Sequence, residues 1–370
     1  MKCDFCGATE KKYFHDGVCR RCITYKSENE VYYPGQKRNI SFEIPFELTI
    51  FQKKVVDDLG TSLNCDVYIE AVCGAGKTEM CLPIITAYLN EGKRCAWAIP
   101  RREIVIELAD RLQEYFPDLE ITKVCQGYTN HTQGDLIVCT CHQLYRYRDH
   151  FDLLILDEPD AFPYANNEVL KRFMKLSLKE NGKIIYLSAT KDEFLEEEIN
   201  KGSVEHLNLP IRPNLKLLPV PIWRLSIFNK LWLAFDLFIH KNKRCLIFVP
   251  SKELARKLGK LLFCPYLTSE SENKEDILAS FRDNDFNFLV CTTVLERGVT
   301  FKDVYCFVVC ADHPVFSDAS LVQIAGRVRR GVHSIEGECY FYSRKKSLNI
   351  ISCIRNIESN NSIACSVLKV

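Results

Sequence analysis

The sequence lacks the long apolar runs that integral membrane proteins contain. Its apolar stretches, such as CLIFVP at 245–250 and VYCFVVCA at 304–311, are much shorter than the roughly 20 residues that cross a bilayer. The first residues also lack the apolar core of a secretory signal peptide, because charged residues and cysteines stand there. We therefore expect neither a transmembrane helix nor an export signal.

The sequence also has almost no net charge and no low-complexity tract. Its 49 basic and 48 acidic residues leave a formal charge of +1, so any binding to nucleic acid must rest on local basic patches. A hydrophobic fraction of 47% excludes a disordered or fibrous chain. The 370 residues are enough for two or three globular domains of about 150 residues each.

Cysteine, by contrast, is abundant, with 19 residues. Most of the cysteines stand inside apolar, strand-like stretches, where a reduced thiol behaves as a small hydrophobic side chain. Such use of cysteine is typical of proteins in a reducing compartment, so the sequence predicts a cytoplasmic protein. Five of these expected core thiols are Cys95, Cys139, Cys245, Cys291 and Cys310.

Four cysteines near the start have a different pattern. Cys3, Cys6, Cys19 and Cys22 form two CxxC pairs separated by 12 residues. Two thiolate pairs at this spacing can complete a tetrahedral Zn²⁺ site, and the short polar segment around them has no hydrophobic core to join. Redox chemistry is the alternative, but it predicts a pair on a thioredoxin-like helix, a setting that neither pair has. We expect a zinc module over residues 1–43.

From residue 44 onward, short apolar strand-like stretches alternate with helical patterns. This alternation predicts an α/β fold of parallel sheets flanked by helices. A proline-punctuated run at 209–221 is interpreted as a linker, so the two predicted domains are residues 44–212 and 213–370. The predicted strands are DVYIEA (66–71), KRCAWAI (93–99), DLIVCT (135–140), FDLLILD (151–157), KIIYLSA (183–189), KRCLIFVP (243–250), FNFLVCTT (286–293), VYCFVVCA (304–311) and ECYFYS (338–343).

The first predicted strand runs into a glycine-bearing turn, CGAGKT, before a helical pattern. Glycines let the backbone approach phosphate oxygens, and the amides of a helix N-terminus supply positive potential. Lys77 is expected to reach the β- and γ-phosphates of ATP, and Thr78 to offer its hydroxyl to Mg²⁺. Ala71 replaces the usual first glycine, which leaves the part nearest the phosphates intact. The expected ATP-binding residues of this turn are Gly74, Ala75, Gly76, Lys77 and Thr78.

Another apolar stretch, LLILDEPDAF, ends in two adjacent carboxylates, at the place where parallel α/β sheets bind ligands. Asp157 is the candidate for coordinating Mg²⁺, and Glu158 for activating the water that attacks the γ-phosphate. Adjacent acidic residues are also common on solvated surfaces. The phosphate turn before them and the KIIYLSAT stretch after them favour the catalytic interpretation.

These motifs resemble motifs I, II and III of the superfamily 2 helicases and translocases, with Ser188–Ala189–Thr190 as motif III. The likeness continues in TTVLERGVTF (292–301) and QIAGRVRRG (323–331), which are similar to motifs V and VI. The resemblance implies two tandem RecA-like domains with the nucleotide between them. It also implies that Gly298 contacts the cofactor.

The motif VI resemblance assigns two arginines to catalysis. Arg330 is expected to act as the arginine finger and Arg327 as its neighbour facing the γ-phosphate, because a permanent charge on a planar fork suits a transferring phosphoryl group. A solvated basic surface run is the alternative interpretation of RVRR. The expected catalytic residues are thus Lys77, Asp157, Glu158, Arg327 and Arg330.

Three further stretches extend the superfamily resemblance. FELTIFQ (46–52) is similar to the adenine-recognition motif, with Gln52 as an amide that both donates and accepts hydrogen bonds. IPRREI (99–104) resembles motif Ia, and CTCHQLYR (139–146) stands in the place of motif Ib. They imply a nucleic-acid track directed at the sugar-phosphate backbone, although the histidine has a helix-cap or core role as its alternative. The candidate track residues are Arg101, Arg102, Thr140, His142 and Thr292.

A narrower resemblance rests on DEPDAFPY at 157–164 and on the order of the motifs. A four-cysteine module followed by LTxxQ, GAGKT, SAT, LERGVTF and QIAGR is similar to the ComFA family of late-competence DNA-uptake ATPases along nearly the whole chain. This sequence departs from that pattern at Pro159, where a valine is expected, and at Arg329, where a glycine is usual. Neither change removes a phosphate-contacting side chain, and Pro159 bears on how Asp160 is presented.

The family resemblance implies a motor that uses ATP, Mg²⁺ and Zn²⁺ and acts on single-stranded DNA during transformation. It implies a cytoplasmic protein, or one peripheral at the inner face of the cytoplasmic membrane, with the DNA-uptake machinery, the operon partner ComFC and DprA as partners. Two alternatives stay open: a DNA-repair, replication-restart or RNA helicase, and a zinc-bearing adaptor that uses ATP as a switch. The residues by themselves indicate a Mg-ATP hydrolase with a zinc module.

Overall fold

The computed structural model describes five ranges of the chain, 2–23, 36–191, 193–295, 301–330 and 336–368. None of the helices in these ranges combines the length and the apolar character needed to cross a bilayer. The predicted cofactor residue Gly298 lies outside the described residues.

The chain divides into two compact units, of which the first comprises Met1–Ala71 and Gly76–Leu209. It contains a seven-stranded, wholly parallel sheet and, near the start of the chain, a short antiparallel hairpin. The elements of this unit, in chain order, are β1 (Phe14–His15), β2 (Val18–Cys19), α1 (Ile50–Leu59), β3 (Asp66–Ala71), α2 (Lys77–Asn90), β4 (Cys95–Ile99), α3 (Arg102–Tyr115), β5 (Ile121–Val124), β6 (Leu136–Thr140), β7 (Phe151–Asp157), α4 (Glu168–Ser177), β8 (Leu178–Ser188), α5 (Glu193–Asn200) and β9 (Val204–Leu209).

The strand order of the large sheet is β5-β6-β4-β7-β8-β3-β9. Strands β4 and β6 are buried along their whole length, which explains why their sequences are continuous apolar runs. All five strands predicted for this part of the chain are present. The two strands missed from the sequence, β5 and β9, are the edge strands, whose apolar residues are interrupted by polar ones.

The second unit comprises Val72–Ala75 and Pro210–Val370 and is built on a six-stranded parallel sheet. Its strand order is β10-β15-β14-β11-β13-β12, and the four central strands are those the sequence predicts. The α/β prediction of two RecA-like domains is therefore confirmed. The elements are β10 (Ile222–Leu225), α6 (Asn229–Ile239), β11 (Arg244–Phe248), α7 (Lys252–Leu261), β12 (Tyr266–Leu267), α8 (Lys274–Arg282), β13 (Phe288–Cys291), β14 (Val304–Val309), α9 (Asp318–Ala325), β15 (Cys339–Ser343) and α10 (Leu348–Leu368).

The expected core thiols are buried with one exception. Cys95, Cys139, Cys245 and Cys291 lie in their predicted strands and are shielded from solvent. The prediction for Cys310 is wrong, because β14 ends one residue earlier and Cys310 is exposed in the left-handed backbone region with φ +54°. The apolar run in the sequence continued past the point where the strand turns away from the core.

The four-cysteine segment packs against α4 within the first unit. The Phe5 ring lies 5.1 Å from the Phe173 ring, centroid to centroid. Cys6, Cys19 and Cys22 belong to the same cluster of buried side chains as Phe173. The expectation that these cysteines have no hydrophobic core to join is therefore wrong, because the amphipathic helix α4 presents one to them.

Candidate nucleotide and zinc sites

The phosphate turn lies between β3 and α2, as predicted. Gly76, just before the helix, has φ +82°, and a Cβ at this position would lie 2.3 Å from Gln52 Nε2. Only glycine satisfies both the left-handed backbone and the lack of space. Since α2 begins at Lys77, its first amides are available at the turn, which is the arrangement that favours a bound phosphate.

Gln52 is held beside this turn by the start of α1. The Thr49 amide donates to Gln52 Oε1 at 2.9 Å, and the Gln52 amide donates to Thr49 Oγ1 at 3.3 Å, which together form a capping box. The side chain is 3% exposed. Capping thus orients Gln52 before any ligand arrives, a role that the sequence reading did not assign to it.

Two residues of α3 contact the start of α2 and were missed from the sequence. Arg111 Nη2 donates to Thr78 Oγ1 at 3.1 Å, and the Tyr115 hydroxyl donates to Glu79 Oε1 at 3.1 Å. Burial, together with the charge of Glu79, raises the pKa of Tyr115 to about 12, so this hydroxyl stays a donor. Arg111 therefore adds positive charge beside the hydroxyl expected to meet Mg²⁺. No motif marks either residue, because both belong to an ordinary amphipathic helix.

The carboxylates of DEPD lie at the end of β7. Asp157 is its last residue, and the Glu158 amide donates to the Leu187 carbonyl of β8 at 2.8 Å with φ +57° at Glu158. Asp160 accepts hydrogen bonds from the hydroxyls of Ser188 at 2.7 Å and Thr190 at 3.1 Å. Motif II and motif III are thus joined through side chains despite Pro159.

The strand register places these motifs at one edge of the first sheet. Asp157 is paired with Leu187, and Glu70 of β3 is paired with Ser188. All these strands are parallel, so the turn that follows Ala71 emerges at the same carboxyl edge as the carboxylates. This edge is where parallel α/β sheets bind their ligands.

The candidate track residues of the first unit follow two neighbouring strands. Ile99 at the end of β4 is paired with Thr140 at the end of β6, so Arg101 and Thr140 leave the sheet at the same edge. Arg102 opens α3, and its Nε donates to the Gln126 carbonyl at 2.7 Å. This bond orients the guanidinium along the surface.

His142 and Thr292 occupy different settings. His142 is half-buried in a 3-10 helix, Cys141–Arg146, and burial lowers its pKa, so the neutral imidazole is favoured. Thr292 belongs to the second unit, where its amide donates to the Leu267 carbonyl at 3.2 Å just after β13.

The motif VI residues lie at and beyond the end of α9 in the second unit. Gln323 is buried within the helix, and Arg327 is 2% exposed. Arg330 is half-buried, while Arg329 has φ +56° and donates from Nε to the Gly337 carbonyl at 3.0 Å. A glycine would adopt the left-handed backbone at position 329 without the strain that an arginine side chain brings.

Arg212 is the residue that sequence reasoning missed here. Its guanidinium donates to the carbonyls of Gly326 at 2.7 Å, Val328 at 2.8 Å and Arg329 at 3.1 Å, and it is 2% exposed. Burial lowers the pKa of Arg212 to about 10, so it stays charged at neutral pH. The proline-rich run containing it was interpreted as a linker, which gave no signal that its arginine would organise motif VI.

The four N-terminal cysteines converge on one point. Their Sγ atoms all lie within 4.8 Å of one another, with 3.6 Å between Cys3 and Cys22 and between Cys6 and Cys19. Four thiolates about 2.3 Å from a tetrahedral zinc would be about 3.8 Å apart, whereas a disulfide needs about 2.05 Å. The donor set and its spacing therefore fit Zn²⁺.

Two family profiles match the chain. The profile of the DEAD/DEAH box helicases covers residues 49–197, and that of the helicase conserved C-terminal domain covers residues 226–331. Their limits fall within the two units that carry the two parallel sheets.

Curated relatives match nearly the whole chain. The competence protein ComFA of Bacillus subtilis strain 168 is 31% identical, with 99% of this chain and 87% of the relative covered. The competence protein ComFA of Streptococcus pneumoniae is 34% identical, with 98% and 90% covered. Among solved structures, S. cerevisiae Dbp5 bound to RNA and ADP BeF3 superposes with a TM-score of 0.63 at 17% identity, covering 84% of this chain and 87% of that one, which shows a shared fold.

Proposed function

Because this chain belongs to the ComFA family of competence proteins, we propose that it is a single-stranded-DNA translocase that drives the uptake of transforming DNA. Its two helicase domains make it an ATP-hydrolysing, helicase-like enzyme of superfamily 2. The observation that carries the proposal is the hydrogen-bonded contact of Asp160 with Ser188 and Thr190, because a motor must link its ATP-hydrolysing motif to a neighbouring strand that can respond.

In this proposal the phosphate turn binds ATP through its backbone amides and Lys77. Mg²⁺, when bound, neutralises charge on the β- and γ-phosphates. Thr78 and Asp157 are the residues that would hold the ion, and Glu158 would accept a proton from the attacking water. Contacts to the rest of the nucleotide are assigned to Gln52, Gly74, Ala75, Gly76 and Gly298.

Two arginines of the second unit complete the proposed catalytic set. Arg330 and Arg327 would supply positive charge to the transferring phosphoryl group. This assignment is supported by the hydrogen bonds around motif VI. Arg212 donates to the carbonyls of Gly326, Val328 and Arg329 and so fixes the backbone on either side of Arg327. In the same proposal the zinc module ends at residue 43 and the first RecA-like domain ends at residue 212.

The DNA track is proposed to run over the ends of β4 and β6 and to include a residue after β13. Its contacts would be directed at phosphates and sugars, which is how single strands are bound without reading sequence. The residues assigned to it are Arg101, Arg102, Thr140, His142 and Thr292.

The test compares ATP hydrolysis without nucleic acid and with single-stranded DNA, duplex DNA or RNA. Wild type should be stimulated most by single strands. Glu158→Gln should keep nucleotide binding and lose at least about 100-fold in kcat, because a positioned general base contributes about that much. No stimulation by single-stranded DNA would contradict the proposal, and strongest stimulation by RNA or by forked duplex would favour the repair, restart or RNA helicase.

The adaptor alternative is separated by Lys77→Ala in a transformation assay. A motor loses DNA uptake when its phosphate-binding lysine is removed, since hydrolysis drives each cycle. An adaptor keeps its docking role. The proposed partners, ComFC, DprA and the uptake machinery, can be tested with the same variant by co-purification.

A peripheral position at the inner membrane face is part of the proposal, and α6 supports it. The outer face of this helix exposes Leu231 by 68%, Phe235 by 54% and Phe238 by 69%. The only acidic residue between positions 222 and 243 is Asp236, which is buried against Arg224. An apolar, aromatic face flanked by lysines and free of exposed acids is complementary to an anionic lipid surface.

Sedimentation with phosphatidylglycerol-containing vesicles tests this position. Wild type should bind them and should not bind pure phosphatidylcholine, and Leu231→Ser with Phe235→Ser should abolish the binding. Phe263→Ser is the matched control, because Phe263 is 97% exposed on the same unit but stands apart from α6. Equal binding by all three proteins would contradict a membrane role for α6, as would self-association that disappears in the double variant.

A further inference from the structure

A basic groove lies at the junction of the four-cysteine segment and α4 in the first unit. Its volume is about 580 Å³, and it reaches Pro159 of the DEPD motif at one end. Five basic and two acidic residues line it, a local excess of three positive charges in a chain whose total is +1. The basic residues are Lys2, Arg21, Lys171, Arg172 and Lys175.

The two acids of the groove are already neutralised. Glu168 forms an ion pair with Lys171 at 3.2 Å, and Glu10 forms one with Lys12, outside the groove, at 2.5 Å. Lys2, Arg21 and Lys175 are exposed and have no ion pair among the described residues. The groove therefore has a positive potential that its own carboxylates do not cancel.

Arg172 adds a fixed donor to the groove wall. Its Nη2 donates to the Asp4 carbonyl at 3.5 Å, which ties α4 to the cysteine segment. Its buried Nε has no hydrogen-bond partner among the described residues. Such a guanidinium is held in place by its bond to the Asp4 carbonyl, and its permanent charge adds to the positive potential of the groove that it lines.

The groove and the predicted motif Ib segment pack against the same helix, α4. The Phe173 ring of α4 lies 5.1 Å from Phe5 of the cysteine segment and 6.0 Å from Tyr145 in the 3-10 helix that carries His142. One helix therefore supports both the candidate DNA track and the cysteine segment.

The lining suits a polyanionic strand better than an acidic protein. Most of its apolar members, including Tyr164, Met174 and Tyr186, are at most 4% exposed, and Phe194 is half-buried beneath Lys171. The exposed lining residues are therefore polar or charged and offer little to an apolar anchor. Protein interfaces depend on such anchors, whereas nucleic-acid backbones are bound by cations and hydrogen-bond donors.

We propose that this groove binds the phosphates of a single-stranded nucleic acid as it leaves the motif Ib surface, an inference that rests on the proposed DNA-translocase function. The cysteine segment then forms one wall of a second, sequence-independent contact. Zinc has an indirect part, since the four thiols hold the CRRC segment with Arg21 against α4.

The test is fluorescence anisotropy of a labelled oligo-dT strand over a series of salt concentrations. Arg21→Glu with Lys175→Glu should weaken binding at least tenfold at about 0.1 M salt. Each lost phosphate contact lowers the salt slope by about 0.7 for single strands, so two should lower it by about 1.4. Hydrolysis of ATP without DNA should be unchanged.

The control is Lys11→Glu with Arg20→Glu, which makes the same change in charge on the cysteine segment but outside the groove. It should change the affinity less than threefold. Zinc content by mass spectrometry checks that the segment is intact, and Lys2→Glu with Lys175→Glu repeats the test without altering the CRRC segment.

The affinities of the groove and control variants for the strand decide between the possible outcomes. Equal losses of affinity in the groove and control variants would overturn the proposal, because binding would then depend only on the overall charge. An unchanged affinity in the groove variants would overturn it as well and would assign the cations to another anionic partner, such as an acidic protein segment. If wild type did not bind the strand at all, this result would contradict the proposed DNA-translocase function and, with it, the proposed role of the groove.

Discussion

The carboxylate of Asp160 accepts a hydrogen bond from the Ser188 hydroxyl at 2.7 Å. Ser188 is the last residue of β8, and Asp160 stands three residues beyond the end of β7, whose last residue is the catalytic candidate Asp157. A second bond, from the Thr190 hydroxyl at 3.1 Å, reinforces the first. The ends of β7 and β8 are therefore tied together through the side chain of Asp160.

Removing this contact should uncouple DNA binding from hydrolysis. We expect Ser188→Ala to lower DNA-stimulated kcat about tenfold while basal hydrolysis stays within about threefold, because a hydrogen bond to a charged group contributes about 1.5 kcal/mol or more. Steady-state ATPase assays with and without oligo-dT measure both values. Ser203→Ala, which removes a surface hydroxyl bonded to Glu198, is the control. Equal losses of basal and stimulated activity would argue against a coupling role.

Arg212 should matter for catalysis as well as for stability. Arg212→Met removes the donor to the carbonyls of Gly326 and Val328, at a cost of about 1–3 kcal/mol for each buried group left unsatisfied, whereas the Arg329 carbonyl keeps a hydrogen bond from Asn214 Nδ2 at 3.2 Å. We expect kcat to fall at least tenfold with little change in the KM for ATP. Urea unfolding gives the stability of each variant.

The matched control for Arg212 is Arg224→Met in the same unit. Arg224 pairs with buried Asp236 at 3.2 Å and does not contact motif VI, so this variant should lose stability and keep kcat. If both variants lost kcat in proportion to their stability, Arg212 would be a structural residue and nothing more.

Loss of the proposed zinc should affect the structure near the four thiols and leave the ATP site intact. Cys19→Ser should release the metal and raise amide hydrogen exchange in α4, because the cysteine segment and Phe173 share one buried cluster. Basal ATP hydrolysis should persist, since neither Lys77 nor Glu158 belongs to that cluster. Cys65→Ser removes a half-buried thiol that is outside the zinc site and serves as the control. A folded Cys19→Ser protein without basal hydrolysis would contradict this separation.

Acid should lower the free energy of unfolding of the first unit because His150 is neutral in the folded protein. Burial, with the charges of Arg94 and Lys179 assisting and Asp152 opposing, lowers the pKa of His150 from 6.5 to about 4. The unfolded chain then binds one more proton than the native chain between these values, so stability falls as pH drops from about 6.5 towards 4. Between pH 7 and pH 5 the loss is about 2 kcal/mol.

Urea unfolding of wild type and His150→Phe at the two pH values measures this contribution. Phenylalanine keeps the ring packing against Tyr147 and Phe151 and removes the titrating group, so the variant should lose about 2 kcal/mol less on acidification. His131→Gln, a change at an exposed histidine paired with Glu120, should behave as wild type. An identical pH dependence in His150→Phe and wild type would exclude His150 as the cause.

Local patterns in the sequence were sufficient for the central strands of both sheets and for the motifs. The strands that lead to Lys77 and Asp157 are buried on both faces, so their apolar runs are unmistakable, and the chemistry of the phosphate turn and of the CxxC pairs depends on neighbours in the chain. The edge strands Ile121–Val124 and Val204–Leu209 escaped notice because one-sided pairing relaxes the demand for apolar residues. Cys310 was misplaced because hydrophobicity does not show where a strand ends.

Contacts between residues far apart in the chain could not be read in this way. Arg212 lies more than 110 residues from the carbonyls it binds, Arg111 reaches Thr78 across two helices, and the groove joins residues near position 20 to residues near position 175. Backbone carbonyls look the same in every sequence, and charges cluster only after the chain has folded. The amino-acid sequence by itself therefore determined which chemical groups the protein has for binding ATP and metal. Only the tertiary structure determined which distant side chains hold those groups in place and where the groove with excess positive charge lies.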